Sequence, residues 1–261
     1  MGGAKKRFGQ NFLQDGNVIA KIIDAIDPRD DEHFVEIGPG HGAITEPLSR
    51  ACRKLDVIEI DRDLAAELQH KKWPGEVRLH VGDALKFDFS TLVKRDEKLR
   101  MAGNLPYNIS TPLLFHLLDS AHLFTDMHVM LQKEVVDRMA AEPGSKQYGR
   151  LTIMLAARCQ VDSLFNIKPT SFRPAPRVDS SFARLLPLDE PLVTDEMYPQ
   201  FKKVVTQAFS MRRKTLSNAL RPIMDPEDIE DAGIDPGLRA EALYPEEFLS
   251  LAQMLPVAEE E

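Results

Sequence analysis

Asn104-Leu105-Pro106-Tyr107 is the stretch of this chain whose residue types are best suited to chemistry. It follows an apolar, strand-like run from Leu99 to Gly103 and precedes a helix-like run from Thr111 to Leu118, so it occupies a strand-to-helix loop. Loops at the carboxyl ends of strands are where open α/β sheets bind ligands. The tetrad suits a planar exocyclic amine such as the amino group of adenine. The lone pair of that nitrogen is delocalised into the ring, which makes it a poor nucleophile. The amide oxygen of Asn104 and the backbone carbonyl of Leu105, next to Pro106, can accept its two N–H bonds. Holding both protons this way draws the nitrogen toward a pyramidal geometry and localises the lone pair for attack on an electrophilic carbon. Tyr107 offers a flat face on which a base can stack. A proline turn with an Asn cap and a core tyrosine is the plainer account, and the rest of the chain has to decide between them.

A glycine loop lies upstream. Gly38, Gly40 and Gly42 follow the strand-like run Phe34-Val35-Glu36-Ile37 and open a helix, an arrangement that lets backbone approach a ligand closely. Gly38-x-Gly40-x-x-Ala43 satisfies a loose dinucleotide fingerprint, and Glu59 stands about 20 residues on, where a ribose-binding acid is expected. A NAD-dependent oxidoreductase is therefore a rival reading. Pro39 and the spacing of Gly42 favour an adenosine joined to an amino acid over a pyrophosphate seeking helix N–H groups. Asp83, at the end of the third strand, adds an acid that can take the amine of a cofactor adenine. Cap and turn chemistry explains either acid singly. An ordered series of glycine loop, two strand-end acids and the Asn104 tetrad points instead to S-adenosylmethionine. His41 in the glycine loop is read as structural.

The elements that must position these residues alternate between strand and helix, which implies a parallel sheet. Val18, Ile19, Ile22, Ile23 and Ile26 recur at helical spacing before Pro28. Strands are expected at 34–37, 55–60, 77–81, 99–103 and 127–131, with helices to about Ala51, over 62–70, and from about Lys133. The start of 151–188 is ambiguous between helix and strand, and Phe182 to Leu188 reads as a closing strand. A polar, proline-bounded linker near 187–196 separates an expected catalytic domain, 1–188, from an expected helical RNA-binding domain, 189–261. The 261 residues suffice for such a large domain with a small appendage. No apolar run approaches the ~20 residues of a membrane span. Lys5, Lys6 and Arg7 are followed by no apolar stretch, so the N-terminus does not read as a secretory signal. Cys52 and Cys159 lack metal-type spacing and read as free thiols of a reducing cytoplasm.

The net charge of −8 argues against a nucleic-acid partner, but its distribution reverses that. Residues 225–261 carry twelve acids and one base, Arg239, which leaves the first 224 residues at +3. Residues 202–221 hold Lys202, Lys203, Arg212, Arg213, Lys214 and Arg221 with no acid, and 144–187 hold seven bases against two acids. Clustered positive charge on an acidic chain is the footprint of a phosphate-facing patch. If residues 200–221 form one helix, Lys203, Lys214 and Arg221 share a side opposite Phe201, Val205, Ala208 and Leu216; a break near Ser210 is the alternative. Phe172 lies in a segment stiffened by Pro169, Pro174 and Pro176, where Arg173 and Arg177 stand ready for flanking phosphates.

The chain resembles the ribosomal RNA adenine dimethyltransferase family, its small-subunit branch in particular. The resemblance is carried by Arg7-Phe8-Gly9-Gln10-Asn11-Phe12-Leu13, Val35-Glu36-Ile37-Gly38-Pro39-Gly40, Val57-Ile58-Glu59-Ile60-Asp61 and Gly103 through Pro112. Met130 to Val135, Phe172-x-Pro174-x-Pro176-x-Val178-Asp179-Ser180 and Arg212-Arg213-Lys214 extend it over most of the chain. It implies a Rossmann-like S-adenosylmethionine-dependent methyltransferase with Asn11, Leu13, Gly38, Glu59, Asp83 and Asn104 as cofactor contacts. Tyr107 and Phe172 would sandwich the target base, and Asn104, Leu105 and Pro106 would hold its amine. Lys203, Arg212, Arg213, Lys214 and Arg221 would meet RNA. The implied reaction places two methyls on each of two adjacent adenosines of small-subunit rRNA during maturation of that subunit. A monomeric cytoplasmic enzyme without a metal is expected. The alternatives are a large-subunit rRNA adenine methyltransferase, the NAD-dependent oxidoreductase, and a ribosome-assembly factor that binds RNA without catalysis.

Overall fold

The computed structural model describes residues 10–95 and 97–256, so Lys5 to Gly9 and the terminal acids Glu259 to Glu261 fall outside the described residues. By contact the chain divides into two units. The first runs to Val136 and resumes over Asp162–Pro187; the second comprises Asp137–Val161 and the chain from Leu188 onward. The expected boundary at 188/189 does not include this exchange, in which 137–161 joins the C-terminal helices.

In chain order the elements are β1 (Phe12–Leu13), α1 (Gly16–Ile26), β2 (His33–Ile37), α2 (Thr45–Ala51), β3 (Lys54–Glu59), α3 (Arg62–His70), β4 (Val77–Val81) and β5 (Leu99–Asn104). There follow α4 (Ser110–Asp119), β6 (Phe124–Gln132), α5 (Lys133–Met139), α6 (Arg150–Ala156), β7 (Cys159–Ile167), β8 (Phe172–Arg173) and β9 (Ser180–Pro187). The helices α7 (Tyr198–Ala208), α8 (Leu216–Leu220), α9 (Pro226–Asp231) and α10 (Pro245–Gln253) complete the chain. The first helix shows how local chemistry sets the bounds. The Asp15 carboxylate accepts from the backbone N–H groups of Asn17 and Val18, and the helix ends at Asp27, left-handed at φ 47°, just before Pro28.

Seven strands form one sheet in the order β4-β3-β2-β5-β6-β9-β7. Every residue of β2 is buried, as a central parallel strand requires, whereas the edge strand β4 is half-buried. Pairing is parallel from β4 across to β6. The sheet is not parallel throughout, because β9 pairs antiparallel with β6. Between β7 and β9 the chain has no α-helix, and a parallel return within one sheet needs a long crossover. The ambiguous stretch after residue 150 resolves into α6 followed by β7.

The strand order reverses at β2. The chain proceeds from β2 to β3 on one side and later places β5 on the other, so the carboxyl ends of β2 and β5 open a crevice. Ile37 and Gly103 are register partners there, which brings the glycine loop and the Asn104 loop side by side. Beneath lies a core that includes Leu13, Ile22, Phe34, Leu55, Phe172 and Phe182.

In the second unit Phe201, Val204, Val205, Leu216, Leu220, Phe248 and Leu251 are buried, and the rings of Phe209 and Phe248 stack at 5.7 Å. The helix does not continue through residue 221. After α7 a short turn over Phe209–Met211 precedes α8. Ser210 Oγ donates to the Gln207 carbonyl, and Gln207 Nε2 donates to the Ala219 carbonyl, tying α8 back onto α7.

Candidate active site

Four sequence segments, 10–14, 36–46, 59–64 and 104–107, converge on the crevice and line a cavity of about 260 Å³. Of the residues singled out above, Asn11, Leu13, Gly38, Glu59, Asn104, Leu105, Pro106 and Tyr107 all line it. Gly38 has φ +70°, and a Cβ placed there would lie 3.2 Å from the Asn104 carbonyl oxygen; at Gly40 (φ +57°) a Cβ would lie 3.0 Å from the Phe12 ring. Glycine at these positions lets the loop turn and leaves room for both neighbours.

Residues 10–14 cross the crevice as a strap. Gln10 Nε2 donates to Asp61 Oδ2 at 3.2 Å, Phe12 packs on His41 at 4.3 Å between ring centroids, and Gln14 N–H donates to the Ser171 carbonyl at 2.9 Å. At the centre of the strap, Asn104 Nδ2 donates to the Asn11 carbonyl at 2.9 Å. A carbonyl oxygen can only accept, so this bond fixes which end of the amide is which. The Asn104 Oδ1 is left as the acceptor of a cavity-lining side chain.

The tetrad is equally fixed. Leu105 N–H donates to the Met130 carbonyl at 3.1 Å. The carbonyls of Pro106 and Tyr107 are taken by Ile109 N–H and Ser110 Oγ, whereas the Leu105 carbonyl has no such partner among the described residues. The Tyr107 phenol shares a 2.6 Å hydrogen bond with Ser180 Oγ, and burial raises its pKa.

Glu59 lines the cavity at the end of β3, where it accepts the Asp61 N–H at 2.8 Å; burial raises its pKa. Glu36 also lines the cavity, although in the sequence it reads as an ordinary mid-strand residue. It is 1% exposed and its Oε2 accepts the Thr45 hydroxyl at 2.6 Å. Burial pushes its carboxyl up to about 8, the Thr45 bond opposes that rise, and the nearby Glu59 adds to it. An acid inside an otherwise apolar central strand was the available signal.

Three expected positions differ. Asp83 caps the turn after β4, accepting the Leu85 N–H at 3.0 Å, and does not line the cavity. Phe172 is 4% exposed and stands opposite Leu13 in the β1–β8 pair, so its ring supports the strap from the core instead of offering an open face. In the second unit, Arg212 is committed: its guanidinium donates to the carbonyls of Lys146 and Tyr148 and pairs with Glu241. Lys203, Arg213, Lys214 and Arg221 are exposed, with no acidic partner among the described residues.

The ribosomal RNA adenine dimethylase family model matches residues 1–256. The chain belongs to the ribosomal RNA adenine dimethylase family. It is 52% identical over 253 residues to the ribosomal RNA small subunit methyltransferase A of Pseudomonas aeruginosa, covering 97% of this chain and 94% of that protein. It is also 52% identical, over 252 residues, to the protein of the same name from Aromatoleum aromaticum, with the same coverage. Among solved structures it is similar to a dimethyladenosine transferase from Plasmodium falciparum, with a TM-score of 0.78 and 28% identity over 92% of this chain and 95% of that one. The 23S rRNA methyltransferase ErmE has a TM-score of 0.72 and 25% identity over 94% and 99% of the two chains. The dimethylase family makes the chain an enzyme with the Rossmann-like methyltransferase fold, not an oxidoreductase. The cavity fits the methyl donor such a fold implies: glycines turn the loop against neighbouring backbone, Glu59 stands at the end of β3, and a second acid, Glu36, is buried beside it.

Proposed function

We propose that this protein transfers methyl groups from S-adenosylmethionine to the exocyclic amines of two adjacent adenosines of small-subunit rRNA, acting in the bacterial cytoplasm during maturation of that subunit. The observation that carries the reading is the Asn104 amide, pinned by Asn11 so that its oxygen is the free acceptor beside an open cavity. When bound, S-adenosylmethionine supplies a methyl carbon on a sulfonium, already a good leaving group. Glu59 would hold its ribose, and Asn11, Leu13 and Gly38 its amino-acid portion; Asp83, a turn cap outside the cavity lining, is assigned no contact.

The remaining work belongs to the chain. The target adenosine must leave its stack, at a cost of a few kcal/mol. Stacking on Tyr107 returns about 1–3 kcal/mol. Asn104 Oδ1 and the Leu105 carbonyl then accept the two N–H bonds of the amine and aim its lone pair. Alignment of two bound partners can supply roughly 7–11 kcal/mol toward reaction. The amine proton leaves to solvent after transfer, and no side chain is assigned as a base. Lys203, Arg213, Lys214 and Arg221 supply further phosphate contacts, whereas Arg212 holds their loop in shape.

Incubation with labelled S-adenosylmethionine and undermethylated small ribosomal subunits, followed by mapping of modified nucleotides, tests the reading. Dimethyladenosine at a neighbouring pair of adenosines supports it. Label confined to large-subunit RNA would favour the large-subunit reading instead.

A further inference from the structure

The loop from Phe172 to Ser180 is anchored at both ends on residues that form the cavity. At its start, Phe172 and Arg173 pair with Leu13 and Phe12, both of which line the cavity. Just upstream, Ser171 Oγ donates to the Asp15 carboxylate at 3.1 Å. At its end, Ser180 is 0% exposed and its Oγ holds the Tyr107 phenol at 2.6 Å. The loop therefore bridges two parts of the cavity wall, the strap at one end and Tyr107 at the other.

Between these anchors its sequence is Arg173-Pro174-Ala175-Pro176-Arg177-Val178-Asp179. Two prolines in seven residues restrict the backbone, so little conformational freedom remains to be lost on binding. Arg173 and Arg177 are both exposed, and neither has an acidic partner among the described residues. The one acid in the segment, Asp179, is engaged by Lys168 at 3.3 Å, and its backbone carbonyl accepts the Lys133 N–H at 2.9 Å. Two uncommitted guanidiniums on a stiff rim suit bidentate recognition of phosphate.

We propose that Arg173 and Arg177 form a clamp on the RNA backbone, taking the phosphates on the two sides of the flipped adenosine, Arg173 on the strap side and Arg177 on the Tyr107 side. The inference rests on the methyltransferase reading above and specifies how the site selects a nucleotide presented in a strand over a free nucleoside. An adenosine without flanking phosphates leaves both guanidiniums unused and reaches the cavity without orientation.

The test uses Arg173→Ala, Arg177→Ala, the double variant, and lysine at both positions, with undermethylated small subunits as RNA and S-adenosylmethionine titrated separately. The clamp predicts unchanged cofactor affinity and a raised KM for the subunit with kcat little altered. The slope of log affinity against log salt becomes shallower by about 0.7 for each arginine removed, the value for one phosphate of a single strand. Lysine restores most of that slope, because it keeps the charge. A double variant with the parental slope and KM overturns the clamp, as does one that is folded but has lost cofactor binding, since the arginines would then be supporting the strap. If the unaltered protein methylates no adenosine in these subunits, the underlying reading fails instead.

Discussion

Asn104 Nδ2 donates to the Asn11 carbonyl at 2.9 Å, across 93 residues of sequence. This single bond joins the strap over the cavity to the loop that faces the target. It also determines that the amide turns an oxygen, not a nitrogen, toward a ligand. A substrate amine brings two N–H donors, and an NH₂ group in that place would repel it.

The buried acid Glu36 predicts a pH dependence. Its carboxyl titrates near 8 in the folded protein against an ordinary 4.5. Below 4.5 it is protonated whether folded or not. As pH rises from there to 8, the unfolded chain gives up the proton and the folded one keeps it, so the cofactor-free protein loses stability across this window. A cationic ligand favours the ionised acid, so cofactor affinity rises toward pH 8 and protons are released on binding. Thermal melts and calorimetry in buffers of different ionisation enthalpy read both effects, and Glu36→Gln is expected to flatten both.

Gly38→Ala should cost about 1–3 kcal/mol, because an L side chain is strained at positive φ. The new methyl group would press on the Asn104 carbonyl oxygen at 3.2 Å. Cofactor binding is therefore expected to fall by more than the melting temperature alone implies. A titration on the folded variant separates the two losses.

Arg212 and its neighbours should behave differently. Arg212 binds the carbonyls of Lys146 and Tyr148 and pairs with Glu241, so Arg212→Ala is expected to lower the melting temperature. Arg213→Ala with Lys214→Ala should leave the melt unchanged and flatten the salt dependence of RNA binding. A comparison of melts with binding at several salt concentrations distinguishes a loop brace from phosphate contacts.

Tyr107 and Ser180 should act as a pair. Tyr107→Phe and Ser180→Ala each remove the same 2.6 Å hydrogen bond and free the ring to tilt. Each is expected to raise the KM for RNA, and the double variant should be little worse than either single one. Additive effects would assign the two residues separate roles.

Much of this architecture is legible in the sequence, for reasons that can be named. Largely apolar central strands such as Leu99 to Gly103 and capped helices such as Arg62 to His70 carry their signals locally. The Asn104 tetrad and glycine loop do so as well, because their backbone turns admit few residue types. Glu36 is only half legible: an acid in a mostly apolar strand is a local signal, but the cavity it faces is built by segments distant in sequence. The fate of Phe172 was hidden for a related reason, since its burial depends on pairing with Leu13, far away in sequence. Arg212 looks like its neighbours until Glu241 and two carbonyls are placed around it. The antiparallel entry of β9 follows from a missing crossover helix, which only the full strand order makes visible.

The central claim is that Asn104 activates the amine as an acceptor. Its most direct test is single-turnover methyl transfer to undermethylated small subunits by Asn104→Ala, with cofactor affinity measured on the same preparation. The account predicts a loss of rate on the order of 10²-fold or more, as for removal of one preorganised hydrogen-bonding group, while S-adenosylmethionine still binds, if more weakly. Transfer at the parental rate with the cofactor bound would contradict it.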